Sequence, residues 1–193
     1  MTLKEKLRPY NIILASGSPR RKQFLTDLGL DFTVLPTNIE EKFPANLQGK
    51  DIALYIATQK ANAISNLKNN DLIITCDTVV WLDNTALEKP ADEKEATEML
   101  QKLSGKTHQV ISAVCIKSVL KQELLYDITE VTFNDLCEKD IHYYVKNFKP
   151  FDKAGAYGIQ EWIGLTGIEK LNGSYTNVVG MPVEKLYKQL NQF

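Results

Sequence analysis

Apolar and polar positions along this chain follow several distinct rhythms. The block "NIILAS" (11–16) is almost uniformly apolar, as a buried strand would be, and "DFTVL" (31–35) alternates like a second strand. Between them, Ser18 and Pro19 read as the N-cap and first residue of a helix running to Leu28, with Gly29 as its stop. Residues 36–49 hold Pro36, Pro44 and Gly49 and read as a loop, and 51–68 return to a helical period. "DLIITCDTVVWLD" (71–83) is strand-like and ends in a turn at Asp83–Asn84. "DEKEATEMLQKLSG" (92–105) is a helix with an acidic start. "THQVISAVCIK" and "ELLYDITEVTF" form a hairpin, and "EKDIHYYVKNF" (138–148) is a further helix. A strand near 165–171 and a terminal helix from about Pro182 close the chain. This order, βαβ and then antiparallel strands, predicts an α/β fold with a mixed, partly antiparallel central sheet flanked by helices. No repeat, linker or low-complexity segment interrupts residues 1–193, so one domain, with one or two lobes, is expected.

One local rule is broken at the start of the first long helix. In "LASGSPRRKQFL" (14–25), Arg20 and Arg21 fall in the first turn, where the helix dipole disfavours cations by roughly 0.3–1 kcal/mol each. Either both guanidinium groups point into water, or an anion sits at the helix end.

The charge balance makes that pair conspicuous. With 23 Lys+Arg against 24 Asp+Glu, the chain has no general basic field, which argues against a nucleic-acid partner. Three separated cysteines and two histidines do not make a usual zinc pattern, and unpaired thiols suit a reducing cytoplasm. No secretory leader and no apolar run of roughly 18–20 residues is present, so a cytoplasmic protein without a membrane span is expected.

Further residues look misplaced for purely structural roles. Asp77 interrupts "LIITCDTVVW", where a buried carboxylate needs a cation, a metal or several donors. It marks either a bulge or strand end, or a metal ligand or general base. At about 100° per residue from Leu54, Ala57, Ala61, Ile64 and Leu67 span roughly 220–340°, and Lys60 at about 240° lies inside that arc. Lys60 either snorkels to the helix edge or aims an ammonium into a phosphate-filled cleft. Lys89 precedes Pro90 in "LEKPAD", and "DKAGAYGIQ" (152–160) combines two glycines with Asp152, Lys153 and Gln160. There is no Walker A sequence and no G-x-S-x-G elbow. A set of Arg and Lys with Glu and Asp suits a polyphosphate bound with a divalent cation.

These segments together resemble the Maf (septum-formation protein) family of nucleoside triphosphate pyrophosphatases. The matching stretches are "LASGSPRR", "IEE" (39–41), "KANA" (60–63), "CDTVV" (76–80), "LEKP" (87–90), "LSGKTHQV" (103–110), "DKAGAYGIQ" and "NGSYTNVVGMP" (172–182). The resemblance implies two lobes around a deep cleft, of the Maf and ITPase type, and hydrolysis between the α and β phosphates with a divalent metal (Mg²⁺, Mn²⁺ or Co²⁺). It implies Asp77 as the proton acceptor, with Glu41 and Asp77 as metal ligands. It implies a substrate-binding set of Ser16, Arg20, Arg21, Lys60, Thr78, Lys89, Lys153 and Gln160. Arg20, Thr78 and Gln160 match the subfamily acting on dTTP and UTP; the sister group acting on 7-methyl-GTP carries Trp, Gln and Glu there. Cys76 stands where the family usually has Ala, and Glu161 where Gly is common, a carboxylate placed either to crowd the base pocket or to repel phosphates. A non-catalytic nucleotide-binding regulator of cell division, or a phosphatase releasing only the γ-phosphate, are the competing readings. A homodimer is left open.

Overall fold

Strand β3 (Asp71–Leu82) is the axis of the molecule, and the computed structural model describes all 193 residues around it. β1 (Asn11–Leu14) pairs in parallel with β2 (Phe32–Val34) and with the first part of β3. β5 (Thr107–Lys117), β6 (Gln122–Phe133) and β7 (Ile168–Asn172) extend the sheet antiparallel on the other side. A short β4 (Thr85–Leu87) folds back on β3, giving a seven-stranded mixed sheet in the order β2-β1-β3-β5-β6-β7. The α/β expectation holds.

One feature of this topology creates the site. β5 covers Ile73–Trp81 along one edge of β3, so β1 and β4 share the opposite edge. β1 pairs there with residues 71–74 and β4 with 80–82, and no strand covers the stretch between them. Asp77 lies in that gap, with unbroken register to Ala113. It marks neither a bulge nor a strand end.

Two apolar clusters divide β3 between them, one taking Leu72, Ile74 and Cys76 and the other Val80 and Leu82. One gathers Leu14, Leu25, Leu72, Ile74 and Cys76 with Leu3 and Leu7 of α1 (Leu3–Leu7) and Leu186 and Leu190 of α8 (Val183–Leu190). The other gathers Val80, Leu82, Val110 and Phe133 with α4 (Glu93–Leu103) and α5 (Glu138–Phe148). α4 buries Ala96, Met99, Leu100 and Leu103, a helical stripe, and Asp92 caps it by accepting from Glu95 N–H at 2.8 Å. A third cluster packs α3 (Lys50–Asn62) across the sheet through Ile52, Ile56 and Ala57.

Several boundaries differ from expectation. The helix expected over 51–68 stops at Asn62, where the polar Asn62, Ser65 and Asn66 favour turns, and Asn66 takes a φ of 60°. Asp83 and Asn84 do turn, both at positive φ, and the turn makes a hairpin whose return strand β4 was not expected. The strand expected near 165–171 starts only at Ile168, because α6 (Trp162–Thr166) precedes it. α1 and α7 (Tyr175–Val179) are single turns too short to leave a sequence period.

Candidate active site

α2 (Pro19–Asp27) starts where β1 ends, with Ser18 as its N-cap, and so delivers both arginines to the gap beside β3. Arg21 spans it. Its Nη1 donates to the Cys76 carbonyl at 2.7 Å and to Ser16 Oγ at 3.4 Å. Its Nε donates to the Gly180 carbonyl at 2.9 Å and its Nη2 to Thr78 Oγ1 at 3.0 Å. The guanidinium thus supplies a bond to a β3 carbonyl in the stretch that no strand covers. Arg20 donates to Asp152 Oδ2 at 2.9 Å across the cleft. Protein acceptors, rather than water alone, answer the dipole conflict at this helix start.

Lys60 lies on the buried stripe of α3, one turn after Ile56, and is 8% exposed. It does not snorkel. Its Nζ is 2.7 Å from Asp77 Oδ1 and 2.7 Å from Glu41 Oε1, and Glu41 Oε2 accepts from Lys89 at 2.8 Å. Burial pushes the Asp77 carboxyl above the usual range, and Lys60 and Arg21 offset this only in part. Burial acts the same way on Glu41, but Lys60 and Lys89 together outweigh it and hold that carboxyl at about 2. The two carboxylates therefore divide into a basic one and a firmly ionised one. Asp77 Oδ1 is taken by Lys60, while Oδ2 carries no hydrogen bond and is not sealed from solvent.

The opposite wall is the segment after α5. Gly155 sits at a φ of 68°, and a Cβ there would lie 3.0 Å from the Val80 side chain, so only glycine lets this loop close on β3. Lys153 is buried, 2.7 Å from Asp152 Oδ1 and 3.0 Å from Glu161 Oε1. Thr78 Oγ1 shares a 2.8 Å hydrogen bond with Ser112 Oγ.

All ten residues singled out in the sequence (Ser16, Arg20, Arg21, Glu41, Lys60, Asp77, Thr78, Lys89, Lys153 and Gln160) line one cleft of about 540 Å³. Glu161 does not line it; its carboxylate is held by Lys153 and by the Tyr144 hydroxyl. Sequence reasoning missed Gly180, whose carbonyl orients Arg21, and Asp152 as the partner of Arg20. Both lay inside quoted stretches, but only the fold shows what they face.

Four carboxylates line the cleft, Glu41, Asp77, Glu88 and Asp152, of which Glu41 and Asp77 meet at the Lys60 ammonium, and no cluster of three or more His, Cys, Asp or Glu is present. Two carboxylates with substrate phosphate oxygens suit Mg²⁺, which seldom uses an all-protein cage. Glu41 and Asp77 would suit such a metal only with its coordination completed from outside the chain.

A two-lobed, mixed-sheet α/β protein with a lysine- and carboxylate-lined cleft is the class that fold and site define. The Maf-like protein family matches residues 11–193, and the chain belongs to that family. Its relatives include a dTTP/UTP pyrophosphatase of Flavobacterium psychrophilum, 55% identical over 97% of both chains. A protein of the same name from Phocaeicola vulgatus is 52% identical over 97% of this chain and 98% of its own. Among solved structures, a HAM1 protein from Coxiella burnetii matches with a TM-score of 0.53 and 15% identity. That match covers 95% of this chain and 100% of the other, a likeness of fold.

Proposed function

We propose that this chain is a nucleoside triphosphate pyrophosphatase that hydrolyses dTTP and UTP to the monophosphate and pyrophosphate. The carrying observation is Asp77, a buried carboxylate with one free oxygen in the uncovered stretch of β3, facing Lys60 within a cleft of cationic side chains. Asp77 Oδ2 takes a proton from water as the water oxygen bonds to the α-phosphorus. The bond from that phosphorus to the α,β-bridging oxygen breaks, and pyrophosphate leaves. Lys60, Lys89, Lys153 and Arg20 supply positive charge where negative charge develops on the triphosphate, with Lys60, Lys89 and Arg20 turning to it from the carboxylates they now face. Glu41 and Asp77 would hold a divalent cation, which supplies charge neutralisation on the phosphates. Thr78 and Gln160 face the same cleft and would contact the nucleoside.

All these groups come from one chain, so a single copy suffices, whether or not the protein forms a homodimer. The ligand is taken as free nucleotide rather than nucleic acid, in keeping with a net charge of −1. No helix is long and apolar enough to cross a membrane, and three unpaired cysteines suit the cytoplasm.

The test is product chromatography with dTTP and UTP in Mg²⁺, Mn²⁺ or Co²⁺, and with chelator. UMP plus pyrophosphate, lost on chelation, is expected. UDP plus phosphate would make the protein a γ-phosphatase, and UTP binding without any product would make it a non-catalytic regulator.

A further inference from the structure

Lys153 sits between two carboxylates that differ in kind. Its Nζ is 2.7 Å from Asp152 Oδ1 and 3.0 Å from Glu161 Oε1. Asp152 lines the cleft, its side chain is 55% exposed, and its other oxygen accepts from Arg20 Nη1 at 2.9 Å. Glu161 approaches from behind the wall, outside the cleft lining, with a side chain only 20% exposed. Its other oxygen accepts from the Tyr144 hydroxyl, which is buried on α5 and itself accepts from the Gly158 N–H at 3.0 Å. Burial, and then the bond to Glu161, push that phenol far above its ordinary range, so it stays a donor.

The front carboxylate has the form of a substitute ligand. It gives one oxygen to a guanidinium carried by α2 and the other to an ammonium on the facing segment, as two oxygens of a phosphoryl group would. Arg20 spends a single hydrogen bond on it, which leaves most of the guanidinium fork unused. A contact this exposed is weak, and a more highly charged phosphate displaces it. The rear carboxylate is different. Water reaches little of it, and Tyr144 fixes the oxygen that Lys153 does not take. With Asp152 displaced, Glu161 is the partner left to the Lys153 ammonium.

We propose that Asp152 is a built-in competitor holding the place of a phosphate between Arg20 and Lys153, and that Glu161, fixed by Tyr144, is a positioning residue that keeps the ammonium at the cleft once Asp152 gives way. The inference rests on the reading of the cleft as a triphosphate site. Both carboxylates carry the same charge and lie within 3.0 Å of the same nitrogen. Through-space electrostatics alone would make the loss of either one favour a bound anion. Opposite roles separate the signs. Removing Asp152 helps an anion bind, and removing Glu161 hinders it.

The test is calorimetric titration with inorganic tripolyphosphate, in chelator so that the proposed reaction does not run, followed by UTP kinetics in Mg²⁺. Asp152→Asn should tighten tripolyphosphate by about threefold or more, the scale of a half-exposed ion pair, and lower the KM for UTP. Glu161→Gln keeps an acceptor for Tyr144 and removes the charge that holds Lys153. It should weaken tripolyphosphate by about threefold and lower kcat for UTP by about fivefold. Tyr144→Phe should act in the same direction as Glu161→Gln, and less strongly. In a Lys153→Met background, Glu161→Gln should change either quantity by less than about twofold, since no ammonium remains to hold. Unchanged or tighter binding in Glu161→Gln, no tightening in Asp152→Asn, or a Glu161→Gln effect that persists without Lys153 would each overturn the inference. So would a wild type that does not bind tripolyphosphate. Should wild type give no product from UTP, the pyrophosphatase reading fails separately, and the tripolyphosphate constants still decide the roles of the two carboxylates.

Discussion

Lys60 and Asp77 are a buried ion pair, 2.7 Å apart, formed by a helix stripe and an uncovered stretch of strand that approach each other only in the folded chain. Neither charge has a structural reason to be there alone. The lysine displaces apolar packing on α3, and the aspartate sits in a stretch of β3, residues 72–82, otherwise made of apolar residues and threonine. A buried pair of this kind is weak evidence for stability, because desolvation offsets most of the attraction. What it retains is a carboxylate that burial makes more basic than usual.

Asp77→Asn preserves shape and removes the base. Turnover should fall by about 10²–10⁴-fold while nucleotide still binds, read as pyrophosphate release against nucleotide-dependent melting temperature. Near-normal turnover would make Asp77 structural. Lys60 lowers the Asp77 pKa, so Lys60→Met should move the acidic limb of the pH–rate profile to higher pH. A limb that stays put would belong to some other group.

Arg20 and Arg21, adjacent in sequence, should behave differently. Arg21 holds the Cys76 and Gly180 carbonyls; the Gly180 carbonyl also accepts from the Cys76 thiol, so losing Arg21 leaves the Cys76 carbonyl without a partner, at about 1–3 kcal/mol. Arg20 meets an exposed Asp152, a contact worth at most about 1 kcal/mol. Urea unfolding without nucleotide should show a large loss for Arg21→Ala and a small one for Arg20→Ala, and Arg21→Lys should not restore the fork geometry. Equal losses in the two alanine variants would show that Arg21 is no strut.

Four charges of this site were legible in the sequence because each violates a local pattern. Asp77 breaks an apolar run, Lys60 falls within an apolar helical arc, and Arg20 and Arg21 oppose a helix dipole. What could not be read was the company each keeps. The uncovered edge of β3 depends on where β1 stops and β4 begins, and β4 is only three residues long. Gly180 meets Arg21 from the far end of the chain. The turn of Glu161 toward Tyr144 depends on how α5 docks behind the loop.

His108 gives the fold an acid-labile point outside the cleft chemistry. It is buried, stacked on Phe133, with Nε2 at 2.7 Å from the Tyr157 hydroxyl and Nδ1 without any partner. Burial pushes its pKa from 6.5 down to about 4. Between those values the unfolded chain binds a proton that the folded chain refuses, so stability is full above pH 6.5 and declines as pH falls towards 4. The urea midpoint of wild type should drop across that window, and His108→Gln should flatten the drop. A wild-type midpoint that does not change from pH 6.5 to 4 would contradict the burial of a neutral ring.

Gln160→Glu tests whether this position reads the base. A carboxylate accepts but cannot donate, so it can still meet the N3–H of uracil while leaving O4 without a donor. It also sets a second negative charge beside Glu161, because both side chains converge over Gly158. Both effects act against UTP and dTTP. Guanine presents N1–H and N2–H₂, two donors that a carboxylate can satisfy together. The ratio of kcat/KM for UTP to that for 7-methyl-GTP, measured at one pH and metal concentration, should therefore fall in the variant. A loss of about 1–3 kcal/mol for each group left unpaired corresponds to roughly 5–150-fold. An unchanged ratio would remove Gln160 from base recognition and leave selectivity to Arg20, Thr78 or the shape of the cleft.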